Sequence, residues 1–181
     1  MITPQKDYEN LAKDALFDAV QSILGLTDAQ ANKMIQFSWP DESGSNRFNA
    51  TPYDDVCYIR LTPYPVQNEG YINQSVDADG VERLDTHRGL RAQFIWYGPN
   101  SLDYATRIRV GIARADIQYL YDKADMAPIP NRQMPTNFNE LIDGRWYERT
   151  DISIDFYQLI VYTGEVPTME EPPEIETLTD E

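Results

Sequence analysis

Two spacings of apolar residues divide this chain. Near the N-terminus, Leu11, Ala15, Leu16, Ala19, Val20 and Ile23 fall on one helical face, and Lys6, Asp7, Glu9, Lys13, Asp14 and Gln21 fill the other. That pattern predicts a helix over residues 4–24 stopped by Gly25, and a further helical turn over 28–33. The period then shortens to two. Strands are predicted over 34–39, ended by Pro40, and over 55–62, closed by Pro63 and Pro65. Between them, residues 41–53 are polar and punctuated by Gly44, Asn46, Asn49 and Pro52, so they read as a loop. A hairpin follows, with 70–76 and 81–84 flanking Asp77-Ala78-Asp79-Gly80, because Asp-Gly tolerates the positive φ of a tight turn.

Residues 89–97 alternate, with Leu90, Ala92, Phe94 and Trp96 one way and Arg91, Gln93, Ile95 and Tyr97 the other. Gly98-Pro99 ends that strand. Asn100 or Ser101 is placed to cap a helix whose stripe is Leu102, Ala105, Ile108 and Ile112, reaching about Ala113. Residues 127–135 carry three prolines and read as an extended connector. The longest strand is predicted over 146–162, with Ile152, Ile154, Phe156, Ile160 and Tyr162 in alternate register. Trp96 and Trp146 are expected in the core, and residues 114–126 and 136–145 receive no element. The result is an α+β chain with one domain over 1–163 and an acidic, proline-containing, solvated tail over 164–181.

Charge narrows the choice of partners. The chain of 181 residues has a net charge of −15, and seven of its acids lie at 164–181 with no base among them. The first 163 residues therefore carry −8. Nucleic-acid affinity comes largely from Lys and Arg neutralising phosphates, so such a chain is a poor phosphate-backbone binder. Twelve tyrosines against six phenylalanines suit half-wet surfaces such as subunit contacts. One cysteine, Cys57, excludes an intrachain disulfide framework and reads as a buried structural thiol in a reducing compartment. No apolar run reaches the ~20 residues a bilayer-spanning helix needs, so no membrane contact is expected.

No catalytic or cofactor signature is present. The single histidine, His87, would have to supply any Ser-His-Asp or Cys-His device, and nothing around it or Cys57 supports one. Tetrahedral zinc needs more Cys and His than the chain has. Asp77 opens a weak calcium-loop pattern that fails at its sixth and twelfth positions, Glu82 and Arg88. Asp54-Asp55 reads as a solvated strand start. There is no GxGxxG, P-loop or GxSxG. His87, Arg88, Arg91, Arg107, Arg109 and Arg114 are spread over two elements with acids nearby, and read as salt-bridge partners before a nucleic-acid face.

Two segments carry a resemblance. YGPNSLDYATRIR (97–109) and GRWYERTDISIDF (144–156), with DDVCYIRL following Trp39-Pro40 in the same order, resemble the neck terminator or tail terminator proteins of tailed bacteriophages. The resemblance implies a mixed or mostly antiparallel sheet with helices packed on one face, assembled as a ring, usually a hexamer. It implies a structural virion protein, not an enzyme and without a cofactor. Such a protein caps the head-proximal end of the tail tube and joins the neck or head-completion ring, with DNA passing through the lumen unbound. It would sit at the neck–tail junction of the virion after assembly in the host cytoplasm. Tyr97, Gly98, Pro99, Arg107, Arg109, Trp146, Glu148, Arg149 and Asp151 are the motif residues and candidate subunit contacts. Glu148 and Arg149 are strand neighbours, so they point to opposite faces and seek different partners. Another head–tail connector or tail-completion ring stays open, as does a small acidic enzyme or ligand-binding domain. A DNA-mimicking inhibitor fits less well, since the acids gather in a tail.

Overall fold

A computed structural model describes residues 2–37, 50–66, 71–78, 80–130 and 133–165. The Trp39-Pro40 pair, most of the predicted loop at 41–53 and the acidic segment beyond 165 lie outside the described residues. In chain order the elements are β1 (Thr3–Pro4), α1 (Tyr8–Leu24), α2 (Asp28–Met34), β2 (Ile35–Phe37), β3 (Val56–Tyr64), β4 (Ile72–Val76), β5 (Val81–Tyr97), α3 (Ser101–Gly111), α4 (Ala115–Lys123), β6 (Met126–Pro128), β7 (Thr136–Ile142) and β8 (Arg145–Glu165). The class is α+β, with one open sheet that is antiparallel except where β2 pairs β3.

The spine of that sheet is the antiparallel ladder of β5 on β8, running unbroken from Val81↔Glu165 to Tyr97↔Arg149. The hairpin strand and the alternating strand read separately from the sequence are therefore one 17-residue strand, with His87 inside it. Short strands flank the spine. β3 and β4 pair β5, and β7, β6 and β1 pair successive stretches of β8.

Among the described residues the helices cover one face of the sheet. Leu90, Ala92, Phe94 and Trp96 of β5, with Ile152, Ile154 and Phe156 of β8, bury against Leu16, Ala19 and Val20 of α1, Ala105 and Ile108 of α3 and Ile117 and Tyr121 of α4. Phe156 packs edge-on to Tyr121 at 5.1 Å, and Trp96 lies 5.3 Å from Tyr104. The opposite face carries a smaller cluster, Val56, Tyr58, Ile95, Tyr97 and Tyr147.

Several sequence expectations are corrected. Pro4 belongs to a strand, and α1 begins only after Asp7, whose side chain accepts the Asn10 N–H at 3.2 Å. Gly25 does stop α1, in the left-handed conformation. β3 runs through Pro63, which its strand tolerates because β2 has ended and that edge has no ladder donor to supply. Leu102 is exposed; buried Ser101 takes its place on the inner stripe of α3. α4, β6 and β7 fall where the sequence pattern gave a connector or no element. Trp146 is 65% exposed rather than in the core.

One buried polar side chain joins four elements. Gln158 of β8 is fully buried; its amide donates to the carbonyls of Tyr8 (3.1 Å) and Ala124 (3.0 Å) and its oxygen accepts from Arg88 (3.0 and 2.8 Å). Gln158→Leu keeps the volume but strands two carbonyls and a guanidinium. It should cost about 3 kcal/mol in urea unfolding, with no change in far-ultraviolet circular dichroism at low denaturant.

Candidate functional site

The register of the spine brings the two motif segments together. Trp96 lies opposite Thr150 and Tyr97 opposite Arg149, and the Gly98 N–H extends the ladder one step by donating to the Glu148 carbonyl at 3.0 Å. Buried Thr150 then donates to the Ser101 hydroxyl at 3.1 Å, tying β8 to the start of α3. The two stretches are thus one substructure at one end of the sheet.

Gly98 makes the turn from β5 into α3. Its φ of 110° is in the left-handed region, and a Cβ there would meet Asp55 Oδ1 at 2.5 Å and the Asp54 carbonyl at 2.6 Å. Asp55 is close because its carboxylate accepts both the backbone N–H (3.0 Å) and the side-chain amide (2.7 Å) of Asn100. Asn100 therefore occupies the N-cap position without capping through its side chain. Asp55 clamps the strand-to-helix turn, a structural employment for an acid read from the sequence as solvated.

On the face away from the helices, Arg149 is the centre of the cluster. It is only 15% exposed and donates in parallel to both Asp151 oxygens at 2.7 Å, and to Glu140 at 2.8 Å. Glu140 also accepts the Tyr97 hydroxyl at 2.6 Å. Phe138 and Tyr97 lie 4.9 and 5.7 Å from the guanidinium carbon, and Tyr97 packs edge-on to Tyr58 and Tyr147. Burial works against the Arg149 charge, but the hydrogen bonds to Asp151 and Glu140 and the nearby acids raise its pKa above the ordinary arginine value. Burial likewise pushes Glu140 up, yet the bonds from Tyr97 and Arg149 and the Arg149 charge hold it below its ordinary 4.5. Tyr97 is raised, by burial first and by its bond to Glu140 second.

The remaining motif residues lie elsewhere. Arg107 and Arg109 ride on α3, on the helix side. Arg107 donates to the carbonyls of Ile23 (3.3 Å) and Leu24 (3.0 Å) and so holds the C-terminus of α1. Pro99 and Glu148 are exposed. Trp146 faces Leu141 across the β7–β8 hairpin, and both are open to solvent, at 65% and 55%. Sequence reasoning missed Glu140 and Phe138 because it assigned β7 no structure. The usable signal was Asp143-Gly144, a two-residue turn with both φ positive (48° and 76°).

The arrangement braces one end of the sheet. Cys57 is fully buried opposite Trp96, and burial raises its thiol pKa. His87 lies nine positions further along β5, on the order of 30 Å away, so the two form no dyad. Asp77 and Gly80 close the β4–β5 hairpin through Gly80 N–H to the Asp77 carbonyl at 3.2 Å and Asp77 N–H to the Val81 carbonyl at 3.0 Å. Arg88, Arg91 and Arg114 pair with Gln158, Asp155 and Asp116. Among the described residues no group of three or more His, Cys, Asp or Glu is arranged to hold a metal, and no helix is long and apolar enough to cross a membrane.

A family model for the phage neck terminator protein matches residues 14–181. The chain belongs to the phage neck terminator family. The resemblance carried by YGPNSLDYATRIR and GRWYERTDISIDF is thereby shown, and the neck terminator family places the chain among structural proteins of the phage virion. No curated protein matches it.

Two outcomes test this construction. Arg149→Met should cost about 3 kcal/mol, because it leaves two half-buried carboxylates facing each other, and Arg149→Lys should recover less than half, since one ammonium cannot serve both planar acceptors. A carboxyl with a depressed pKa stabilises the fold above its unfolded value and loses that contribution as pH falls through the folded one. Unfolding followed from pH 7 to pH 3 should therefore show the wild type losing stability below about 4.5, with Glu140→Gln losing less over the same interval.

Proposed function

We infer that this chain acts as a ring at the phage neck, capping the head-proximal end of the tail tube and joining it to the head-completion ring. The observation that carries this is the family match across residues 14–181. The geometry supports it. A sheet braced by helices on one side offers fixed surfaces, which suits a protein whose work is to stop a polymer and present a docking face.

A ring requires two different patches on each copy, because a patch meeting itself closes a dimer. The exposed pair Trp146–Leu141 is one such patch. Tryptophan anchors are frequent contributors to binding energy when a partner buries them. In this reading six copies close the ring, the tail-tube protein and the neck or head-completion protein bind its two ends, and assembly occurs in the host cytoplasm. The net charge of −15 disfavours phosphate binding, so DNA passes through the lumen without specific contact. Tyr97, Gly98, Pro99, Glu148, Arg149 and Asp151 serve as the frame that holds the Trp146 hairpin in place, and Arg107 and Arg109 as the frame of the helix side.

Trp146→Ala separates docking from folding. Loss of an exposed side chain should change stability by under about 0.5 kcal/mol. It should nevertheless reduce the fraction of purified tail tubes that carry a cap in negative-stain images by about tenfold. Wild-type protein that never decorates a tube or forms rings would overturn the capping reading.

A further inference from the structure

The free strand edges of this sheet are not alike. Among the described residues, β1 has two residues and includes Pro4, β6 has three and includes Pro128, and β2 has three. The outer edge of β3 beyond β2 carries Arg60 and Pro63. Shortness, charge and proline are the devices that keep an edge from pairing with another chain. β4 and β7 lack them. β4, Ile-Asn-Gln-Ser-Val, has five residues, all exposed, with no charge and no proline. β7 has seven residues, and its one charged side chain, Glu140, is turned onto Arg149 and Tyr97. Each is paired on one side only among the described residues.

These two edges also match. The unbroken register of the spine fixes which way each side chain points. Ile72, Gln74 and Val76 share the helix side with Asn137, Asn139 and Leu141, while Asn73 and Ser75 share the other side with Phe138 and Glu140. β4 runs parallel to β8 and β7 runs against it, so two copies held in the same orientation present β4 to β7 antiparallel. In that pairing Ile72 meets Leu141 beside Trp146, the Gln74 and Asn139 amides face each other, and the Asn73 amide faces Glu140. Three exposed apolar side chains, Ile72 (58%), Leu141 (55%) and Trp146 (65%), then cover one another. The edges lie on opposite flanks and at opposite ends of the spine, about 50 Å apart along it, so a copy cannot join its own two edges.

We propose that β4 of one copy pairs with β7 of the next, so that the sheet continues from subunit to subunit. This rests on the ring reading above and specifies its heterologous contact. Disulfide trapping tests it directly. Gln74→Cys and Asn139→Cys are made in separate full-length chains; facing residues of an antiparallel pair fall within disulfide reach, and the native thiol, Cys57, is buried. Mild oxidation should form dimers about tenfold faster in the mixture than in either variant alone. Ser75→Lys in the Gln74→Cys chain should remove most of that advantage with an unchanged melting temperature. Equal rates in all three samples overturn the proposal, and faster dimers in Gln74→Cys alone replace it with a two-fold β4–β4 contact. Imaging of the wild type separates the two readings: rings without the cross-link leave the ring and overturn this pairing, whereas the cross-link without rings keeps the pairing and counts against ring closure.

Discussion

Everything in this molecule hangs on the register of one ladder, β5 against β8. Because it runs without a bulge from Val81↔Glu165 to Tyr97↔Arg149, a single alternation assigns each side chain of both strands to a face. One face receives Phe94, Trp96, Ile152, Ile154 and Phe156 and is closed by α1, α3 and α4. The other receives Tyr97, Arg149 and Asp151. A slip of one residue would carry the aromatic core into water and Arg149 under α3, so the apolar face and the Arg149 cluster reinforce the same alignment from opposite sides.

Polar chemistry in this fold does the work of joints. Gln158 ties the spine to α1 and α4, Asp55 fixes the turn through which β5 becomes α3, and Arg107 closes the end of α1. Tyr8 does the same at the edge of β8, where its hydroxyl accepts the Val161 N–H at 2.9 Å in the gap between β6 and β1. Such groups stiffen a scaffold by satisfying buried donors and acceptors across several elements. That distribution agrees with membership in a family of phage neck proteins.

Much of this was legible in the sequence, and the gaps have physical causes. The inner stripe of α1 and the alternation of 89–97 were plain because both elements are long and bury one face. α4 was missed although Ile117, Leu120, Tyr121 and Ala124 follow helical spacing, since it is nine residues long and polar elsewhere. β7 was missed because it is an edge strand with little burial, so no apolar alternation marks it, and with it went Glu140 and the partner of Trp146. Trp146 was placed inside on residue type alone; its exposure follows from a hairpin that reaches beyond the helices. Which residues meet across β5 and β8 could not be read locally, since that pairing joins positions more than fifty apart.

If a stiff β5–β8 spine carries two edges that pair with neighbouring copies, amide hydrogen exchange on the free and the assembled protein will separate spine from edges. Residues 92–96 and 150–156 should exchange slowest in both states, while 72–76 and 136–142 should exchange fast in the free chain and become protected on assembly. Edges equally exchangeable in both states, or a spine no slower than its edges, would contradict this arrangement.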